Sequence, residues 1–139
     1  MKSYRKELWV VVPEMQGVKD LTEEVRECVE ASRVKEGLCL VNAMNVTSSI
    51  FINSDDWDIH KEFFKWLEDI APHDPEKKAD TKDVEEHFAD VHFKRTVLGR
   101  DVTIAITKGE LDLGTWEQIL YFEFDGKRRK HVLVKIIGE

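Results

Sequence analysis

The fold class depends on residues 116–137, WEQILYFEFDGKRRKHVLVKII, in which two strand-like runs flank the dipeptide Asp125-Gly126. The first run, 116–124, alternates as a strand does, and residues 130–137 form the second run. An Asp-Gly pair between two such runs is typical of a two-residue hairpin turn, whose central residues need positive φ. The sequence therefore predicts a β-hairpin here, with Trp116 either in the core or in the wall of a cleft.

Outward from this hairpin, the chain mixes further strands with predicted helices. One helix follows Asp20, a second follows Asp55 or Asp56, and a third spans 83–98. Further strands are predicted at residues 8–12, 38–44, 46–53 and 102–107. Because helices and strands do not alternate strictly, the sequence predicts an α+β fold in one domain, 1–139, with mixed or antiparallel sheets and two to three helices.

The second predicted helix has an apolar stripe at helical spacing. Its members are Ile59, Phe63, Trp66, Leu67 and Ile70. Such a stripe is typical of a helix that packs one face against the core.

Composition limits the classes of partner. The 139 residues include 21 Lys and Arg against 28 Asp and Glu, which gives a formal net charge of −7. That sign argues against a general nucleic-acid or anionic-membrane binder, because phosphate would on average be repelled. There is no apolar run of the roughly 20 residues that a membrane helix needs, and no cleavable leader. Two cysteines, Cys28 and Cys39, are too few for a disulfide framework, so we expect a cytoplasmic protein.

Histidines and carboxylates give only weak signals of catalysis or metal binding. His87 and His92 are five residues apart, which is the wrong offset for one helix face, and there is no HExxH motif. Glu86 and Asp90 are four apart, a spacing more typical of a solvated helix face than of a catalytic carboxylate pair.

The one dense basic run is 127–131, directly after the predicted turn. On a strand, Arg129 and His131 would share one face, and Arg128 and Lys130 the other. Two interpretations remain open: a subsite for an anion or phosphate, and an edge strand protected by charge.

Seven segments together resemble one known family. They are Asn45–Asn53, Trp66–Pro72, Ala89–Arg95, Gly99-Arg100, Leu111–Gln118, Glu123–Arg129 and Val134–Glu139. This arrangement is similar to the YjbQ-like family, whose members are called secondary thiamine-phosphate synthases. The resemblance implies a compact α+β homotrimer and a polar cleft lined by three histidines that often holds zinc or another divalent metal. It also implies weak thiamine-phosphate synthase activity, which joins a pyrimidine diphosphate to a thiazole phosphate.

This chain departs from the family pattern in the implied cleft. The substituted positions are Asn45, Thr81, His87 and Phe88. His92 alone remains of the three family histidines, and the sequence leaves open whether His73 or His87 replaces a lost one. Zinc needs three or four good donors, and neither an amide nor a threonine hydroxyl is one. We therefore expect no metal cofactor in a divergent family member.

Two functional hypotheses follow from these residues. An enzyme would use His92 as acid, base or ligand, Arg128 or Arg129 for phosphate, and Gln118 with Glu117 to orient the substrate. The alternative is a non-catalytic homotrimer that binds a small phosphorylated ligand, or a protein-interaction module. That module would use an acidic helix face, whose members are Glu23, Glu24, Glu27 and Glu30. Neither hypothesis includes a nucleic acid or a membrane as partner.

Overall fold

The computed structural model describes residues 1–77 and 88–139, which form eight strands and three helices. The strands are β1 (Lys2–Val11), β2 (Gly17–Asp20), β3 (Glu36–Ala43), β4 (Ser48–Asn53), β5 (Asp101–Thr107), β6 (Glu110–Leu111), β7 (Gln118–Glu123) and β8 (Arg129–Gly138). The helices are α1 (Thr22–Ser32), α2 (Trp57–Ile70) and α3 (Ala89–Leu98).

The strands form two antiparallel sheets. One has five strands in the order β1-β8-β3-β5-β6, and the other has three in the order β2-β7-β4. Every strand pair in both sheets is antiparallel. The predicted α+β fold is therefore confirmed.

Strand β7 lies in a middle layer and is buried on both faces. Its alternate residues Ile119 and Tyr121 join the core that also includes the five-stranded sheet and α1. The residues between them, Leu120 and Phe122, join a second core with α2 and α3. Phe64 of α2 stacks on Phe122 with ring centroids 5.1 Å apart. Alternation thus predicts which core each side chain enters, although neither face meets solvent.

The predicted hairpin between β7 and β8 is wrong. β7 pairs with β2 and β4, whereas β8 pairs with β1 and β3, so residues 124–128 carry the chain from one sheet to the other. The positive φ of 74° in this connection belongs to Lys127. Gly126 is needed for a different reason: a Cβ there would lie 1.9 Å from the carbonyl oxygen of Glu14. The glycine therefore permits close approach of two backbones.

Helices α1 and α2 begin where the sequence predicts. The Asp20 carboxylate accepts a hydrogen bond from the Thr22 amide at 2.9 Å, immediately before α1. Asp56 caps α2 and accepts from the amides of Asp58 and Ile59.

The third helix does not span 83–98 without interruption, because Phe88 is extended, with φ −87° and ψ 148°, and α3 begins at Ala89. Residues 83–87 lie outside the described residues. Among the described residues, no helix is both long and apolar enough to cross a membrane.

The apolar stripe of α2 is wider than its contact with the core. Phe63 and Leu67 pack in the second core. Ile59, Trp66 and Ile70 are about half exposed, at 50%, 52% and 51%. The expectation that the whole stripe packs inward is therefore wrong for these three residues.

Ion pairs of the buried Lys94 side chain join α2 to α3. The Lys94 ammonium is 2.7 Å from the Glu68 carboxylate and 3.4 Å from that of Asp90, and its side chain is 1% exposed. The hydrogen bond from Lys94 lowers the pKa of Glu68. His73 Nδ1 lies 3.2 Å from Asp90, so Asp90 holds structure here. The expected solvated face is therefore wrong for Asp90, which is 6% exposed. Glu86, the other carboxylate of that pair, lies outside the described residues.

The close approach at Gly126 gives a stability prediction. We expect Gly126→Ala to lower the free energy of unfolding by about 2 kcal/mol or more, because backbone rather than a flexible side chain blocks the new methyl group. Gly114→Ala is the control, since its nearest neighbour is the flexible Glu117 carboxylate at 3.1 Å. Urea unfolding followed by tryptophan fluorescence measures both. Equal stabilities of the two variants would contradict the crossing described here.

Candidate functional site

A polar turn between β3 and β4 begins at Asn45. Its Oδ1 accepts hydrogen bonds from the Thr47 amide at 3.0 Å and from the Ser48 hydroxyl at 2.7 Å. The Thr47 hydroxyl is 3.2 Å away. A backbone N–H can only donate, so the oxygen rather than the nitrogen of the amide must face it. Both lone pairs of the Asn45 oxygen are thus used within the turn.

The Glu123 carboxylate, 1% exposed, lies at the end of β7 beside this turn. It accepts hydrogen bonds from the Thr47 hydroxyl at 2.8 Å and the Tyr121 hydroxyl at 2.7 Å. The amides of Phe124 and Asp125, each at 3.2 Å, donate to the same carboxylate. A buried carboxylate needs this many donors because it has lost its water.

Lys130 of β8 supplies the neutralising charge. Its ammonium lies 2.8 Å from Glu123, and the two side chains are 10% and 2% exposed. It also donates to the Asp125 carbonyl at 2.6 Å and to the Thr47 hydroxyl. We call Asn45, Thr47, Tyr121, Glu123 and Lys130 the buried ionic network. Its members come from both sheets, so it joins them.

Tyr121 has a single protonation state in this network. Burial, and then the negative charge of Glu123, raise the pKa of Tyr121 far above its ordinary value. The hydroxyl therefore remains a neutral donor throughout the physiological pH range.

Helix α3 brings a cation to the same turn. The Arg95 guanidinium donates to the Ser48 carbonyl at 2.9 Å and to the Asn45 carbonyl at 3.4 Å. Burial, chiefly, lowers the pKa of Arg95, which nevertheless stays charged. His92, half-buried, precedes Arg95 by three residues and therefore lies on the adjacent part of the helix face. The structure thus brings His92 and Asn45 to neighbouring elements.

The two arginines predicted to hold phosphate have different surroundings, because Arg128 ends the connection between the sheets and Arg129 begins β8. Arg128 forms an ion pair with Asp125. The Arg129 guanidinium lies over the Trp9 ring, 3.9 Å from its centroid, and His131 stacks on the same indole at 4.8 Å. The predicted sharing of one face by Arg129 and His131 is confirmed. The edge-strand interpretation is wrong, because β8 lies between β1 and β3.

Gln118 and Glu117 lie at the other end of the three-stranded sheet. Gln118 pairs with Asn53 at one end of the β4–β7 ladder, and Ser48 pairs with Glu123 at the other. Five residues of strand separate the two ends by roughly 17 Å. Glu117 is exposed and accepts from the Gly114 amide at 2.7 Å. Within one chain, the predicted substrate-orienting pair is therefore remote from His92.

The remaining predicted positions contribute little chemistry. Phe88 is partly buried in the second core and meets His73 edge-on at 4.6 Å between centroids. Thr81 and His87 lie outside the described residues. Trp116, predicted in the core or a cleft wall, is 77% exposed because β7 begins two residues later. Burial raises the pKa of the Cys39 thiol to about 12, so it is unreactive.

The residues that the structure describes do not fit a zinc ion. Of the family positions that the structure describes, only His92 carries an imidazole, and the Asn45 oxygen is already occupied by two donors. Within residues 1–77 and 88–139, no three His, Cys, Asp or Glu side chains are placed to hold a metal together. Arg95 adds a positive charge beside the turn, which repels a dication.

Comparison with known proteins agrees with the pattern of segments. The profile of the family described as UPF0047 protein YjbQ-like matches residues 6–139. The chain belongs to this family. A UPF0047 protein of Archaeoglobus fulgidus is 36% identical over 118 residues, covering 85% of this chain and 89% of that protein. A UPF0047 protein of Methanothermobacter thermautotrophicus is 30% identical over 139 residues, covering 100% of this chain and 95% of that one.

Solved structures of the YjbQ-like family have the same fold. A YbjQ-like protein of unknown function from Sulfolobus solfataricus superposes with a TM-score of 0.88 at 27% identity, covering 99% of both chains. A YjbQ/UPF0047 protein from Clostridium acetobutylicum gives a TM-score of 0.83 at 32% identity, covering 95% of this chain and 99% of that one.

Sequence reasoning missed most of the buried ionic network. Glu123 stands between two phenylalanines in the run 119–124, which is otherwise apolar. A carboxylate inside such a run needs a cation, and this was the available signal. Lys130, seven residues on, belongs to the basic run 127–131, for which the sequence leaves open an anion subsite or an edge strand protected by charge. Arg95 gave no signal, because a helix cation is ordinarily exposed.

The buried ionic network gives a second prediction, which concerns stability. We expect Lys130→Met to lower the free energy of unfolding by roughly 3 kcal/mol, since it leaves the Glu123 charge buried without its cation. Adding Glu123→Gln should recover a large part of that loss. Lys127→Met, at an exposed neighbouring lysine, is the control and should change little. Chemical denaturation measures the three variants and the unchanged protein, and a Lys130→Met loss below about 1 kcal/mol would contradict the pairing.

Proposed function

We propose that this chain is a divergent family member in which the metal cleft has become a structural ionic network. Thiamine-phosphate synthase activity is then weak or absent. The observation that carries the proposal is the Asn45 oxygen, which is used by Thr47 and Ser48 and has no lone pair left for a metal. An imidazole at that position would instead offer a nitrogen donor.

Arg95 supports the same proposal independently. Its guanidinium reaches the carbonyls of Ser48 and Asn45, so a fixed positive charge occupies the space beside the turn. A divalent cation would be repelled there, and an anion would be attracted. The proposed loss of metal binding thus has two causes, a donor already in use and a charge of the wrong sign.

Binding of a small phosphorylated ligand is part of the proposal, and Arg129 is the better of the two predicted arginines for it. Arg128 is paired with Asp125, whereas Arg129 packs on Trp9, a stack that leaves the edge of a guanidinium available to donate. The alternative function, protein interaction through the acidic face of α1, has less support, because Glu23 pairs with Arg26 and Glu24 with Lys19. A cytoplasmic location remains a prediction from the sequence.

The metal proposal is tested by zinc content and turnover. We expect the purified protein, dialysed against micromolar zinc, to retain well under one zinc per chain by mass spectrometry of the metal. We expect no formation of thiamine phosphate from pyrimidine diphosphate and thiazole phosphate above background. One tightly held zinc per chain that disappears in His92→Ala would overturn the first statement, and turnover lost in the same variant would overturn the second.

The double variant Asn45→His with Arg95→Ala is the matched comparison. It returns an imidazole to the turn and removes the repelling charge, so zinc affinity should rise above that of the unchanged protein. Arg100→Ala, which removes a nearby guanidinium that reaches Ala43 rather than Asn45, is the control.

A homotrimer is the second proposal, and the outer face of the five-stranded sheet supports it. This face carries Trp9, Val11, Leu38 and Ile137, which are between 40% and 54% exposed. Trp9 and Val11 lie beside one end of β8, and Leu38 and Ile137 beside the other, with charged side chains such as Lys135 between them. Exposed apolar side chains of this size are typical of an interface. A second copy of the chain is the proposed occupant, as the family resemblance implies.

Light scattering at about 10 μM tests the assembly. The trimer predicts a mass of about 49 kDa, three times the 16.2 kDa of one chain. Leu38→Glu should shift the mass toward one chain, because it places a charge in the interface. Trp66→Glu on α2, at a side chain of similar exposure, should leave the mass unchanged. A mass of one chain for the unchanged protein would contradict the proposal.

A further inference from the structure

A groove lies at the opposite end of the five-stranded sheet from the buried ionic network. It has a volume of about 960 Å³ and runs between the end of α1, the start of β1 and the β5–β6 turn. Val29 and Val34, both buried, and the partly buried Leu111 form its apolar lining. A volume of this size is in the range of sites that hold small organic molecules.

The charged lining of this groove is mainly positive. Lys2, Arg26, Arg33 and Lys35 line it against two carboxylates, Glu30 and Glu110. The chain as a whole has a net charge of −7, so an excess of two positive charges at one concave place is a local reversal of sign. Concave surfaces of one sign concentrate ligands of the other.

The backbone holds one of these cations in an unusual conformation. Arg33 follows α1 with φ 60° and ψ 16°, the left-handed region in which glycine is the ordinary choice. Its backbone is fixed, because its amide donates to Glu30 and its carbonyl accepts from Lys2 at 2.9 Å. Residues with strained backbone conformations are common at functional sites, so we considered a binding role for the Arg33 side chain.

Lys35 is positioned by the turn across the groove. The Gly109 amide donates to the Lys35 carbonyl at 3.0 Å. A Cβ on Gly109 would lie 3.2 Å from both Cδ and Nζ of Lys35, so the lysine side chain runs across this glycine. Among the described residues, the structure gives neither the Arg33 guanidinium nor the Lys35 ammonium an ion-pair partner, whereas Arg26 is paired with Glu23.

We propose that this groove is a binding site for a small organic phosphate or diphosphate. Arg33 and Lys35 bind the phosphate oxygens, and the valines and Leu111 contact the apolar part of the ligand. The site is separate from Arg129 and does not depend on the proposed function.

These cations also lie just past the C-terminal end of α1, where positive charge stabilises a helix. Arg33→Gly separates this role from ligand binding. It removes the guanidinium and puts at the left-handed position the residue that best tolerates it, so a ligand site predicts weaker binding without loss of stability. Lys127→Gly is the matched control, since Lys127 is another exposed cation with positive φ, at 74°.

The experiment titrates inorganic pyrophosphate into the ¹⁵N-labelled protein at low salt and follows amide shifts by NMR. We expect shifts at Arg33, Lys35 and Gly109, a dissociation constant about fivefold higher in Arg33→Gly, and no change in Lys127→Gly. The melting temperature of Arg33→Gly should be unchanged or higher.

Three outcomes would overturn the proposal: no binding, unchanged affinity in Arg33→Gly with a lower melting temperature, or shifts confined to Arg129 and His131. The last result would support the anion subsite of the proposed function instead, and absence of zinc or turnover bears on neither site.

Discussion

The ion pair between Glu123 and Lys130 is the constraint on which the rest of the structure depends. Glu123 ends a strand of the three-stranded sheet, and Lys130 lies near the start of a strand in the other sheet. Their charges meet 2.8 Å apart with almost no exposure to water. A buried pair is costly to separate, so it fixes the connection between the sheets and places the turn at Asn45.

The same network limits what this end of the fold can do chemically. Thr47 bridges the Glu123 carboxylate and the turn, so its hydroxyl and amide are both committed. The Asn45 side-chain oxygen therefore accepts hydrogen bonds within the turn, and the Arg95 guanidinium of α3 donates to the Asn45 carbonyl. The described part of the chain thus keeps the YjbQ-like fold, and its Asn45 oxygen is used by hydrogen-bond donors of the protein itself. An oxygen atom that accepts hydrogen bonds from buried protein groups, such as that of Asn45, is not available to bind a metal.

The sequence predicted the helices and strands better than it predicted which strands pair with each other. Cap residues such as Asp56, and the strand-like segments 46–53 and 102–107, are local signals, and the structure confirms them with α2, β4 and β5. The Asp125-Gly126 hairpin failed because a local turn signal does not specify which sheet the next strand joins. The family resemblance implies a cleft with Asn45 at a substituted position, but the use of the Asn45 oxygen depends on hydrogen bonds that only the folded chain brings together.

Hydrogen exchange at the amides of Phe124 and Asp125 tests the central claim most directly, because both donate to the Glu123 carboxylate and that of Phe124 also donates to the carbonyl of Thr47, another member of the network, at 3.0 Å. If the buried ionic network joins the two sheets, these amides exchange only through global unfolding, with the same free energy as the most protected core strands. Exchange within minutes through local opening, while the core of β3 and β8 stays protected, would contradict the account.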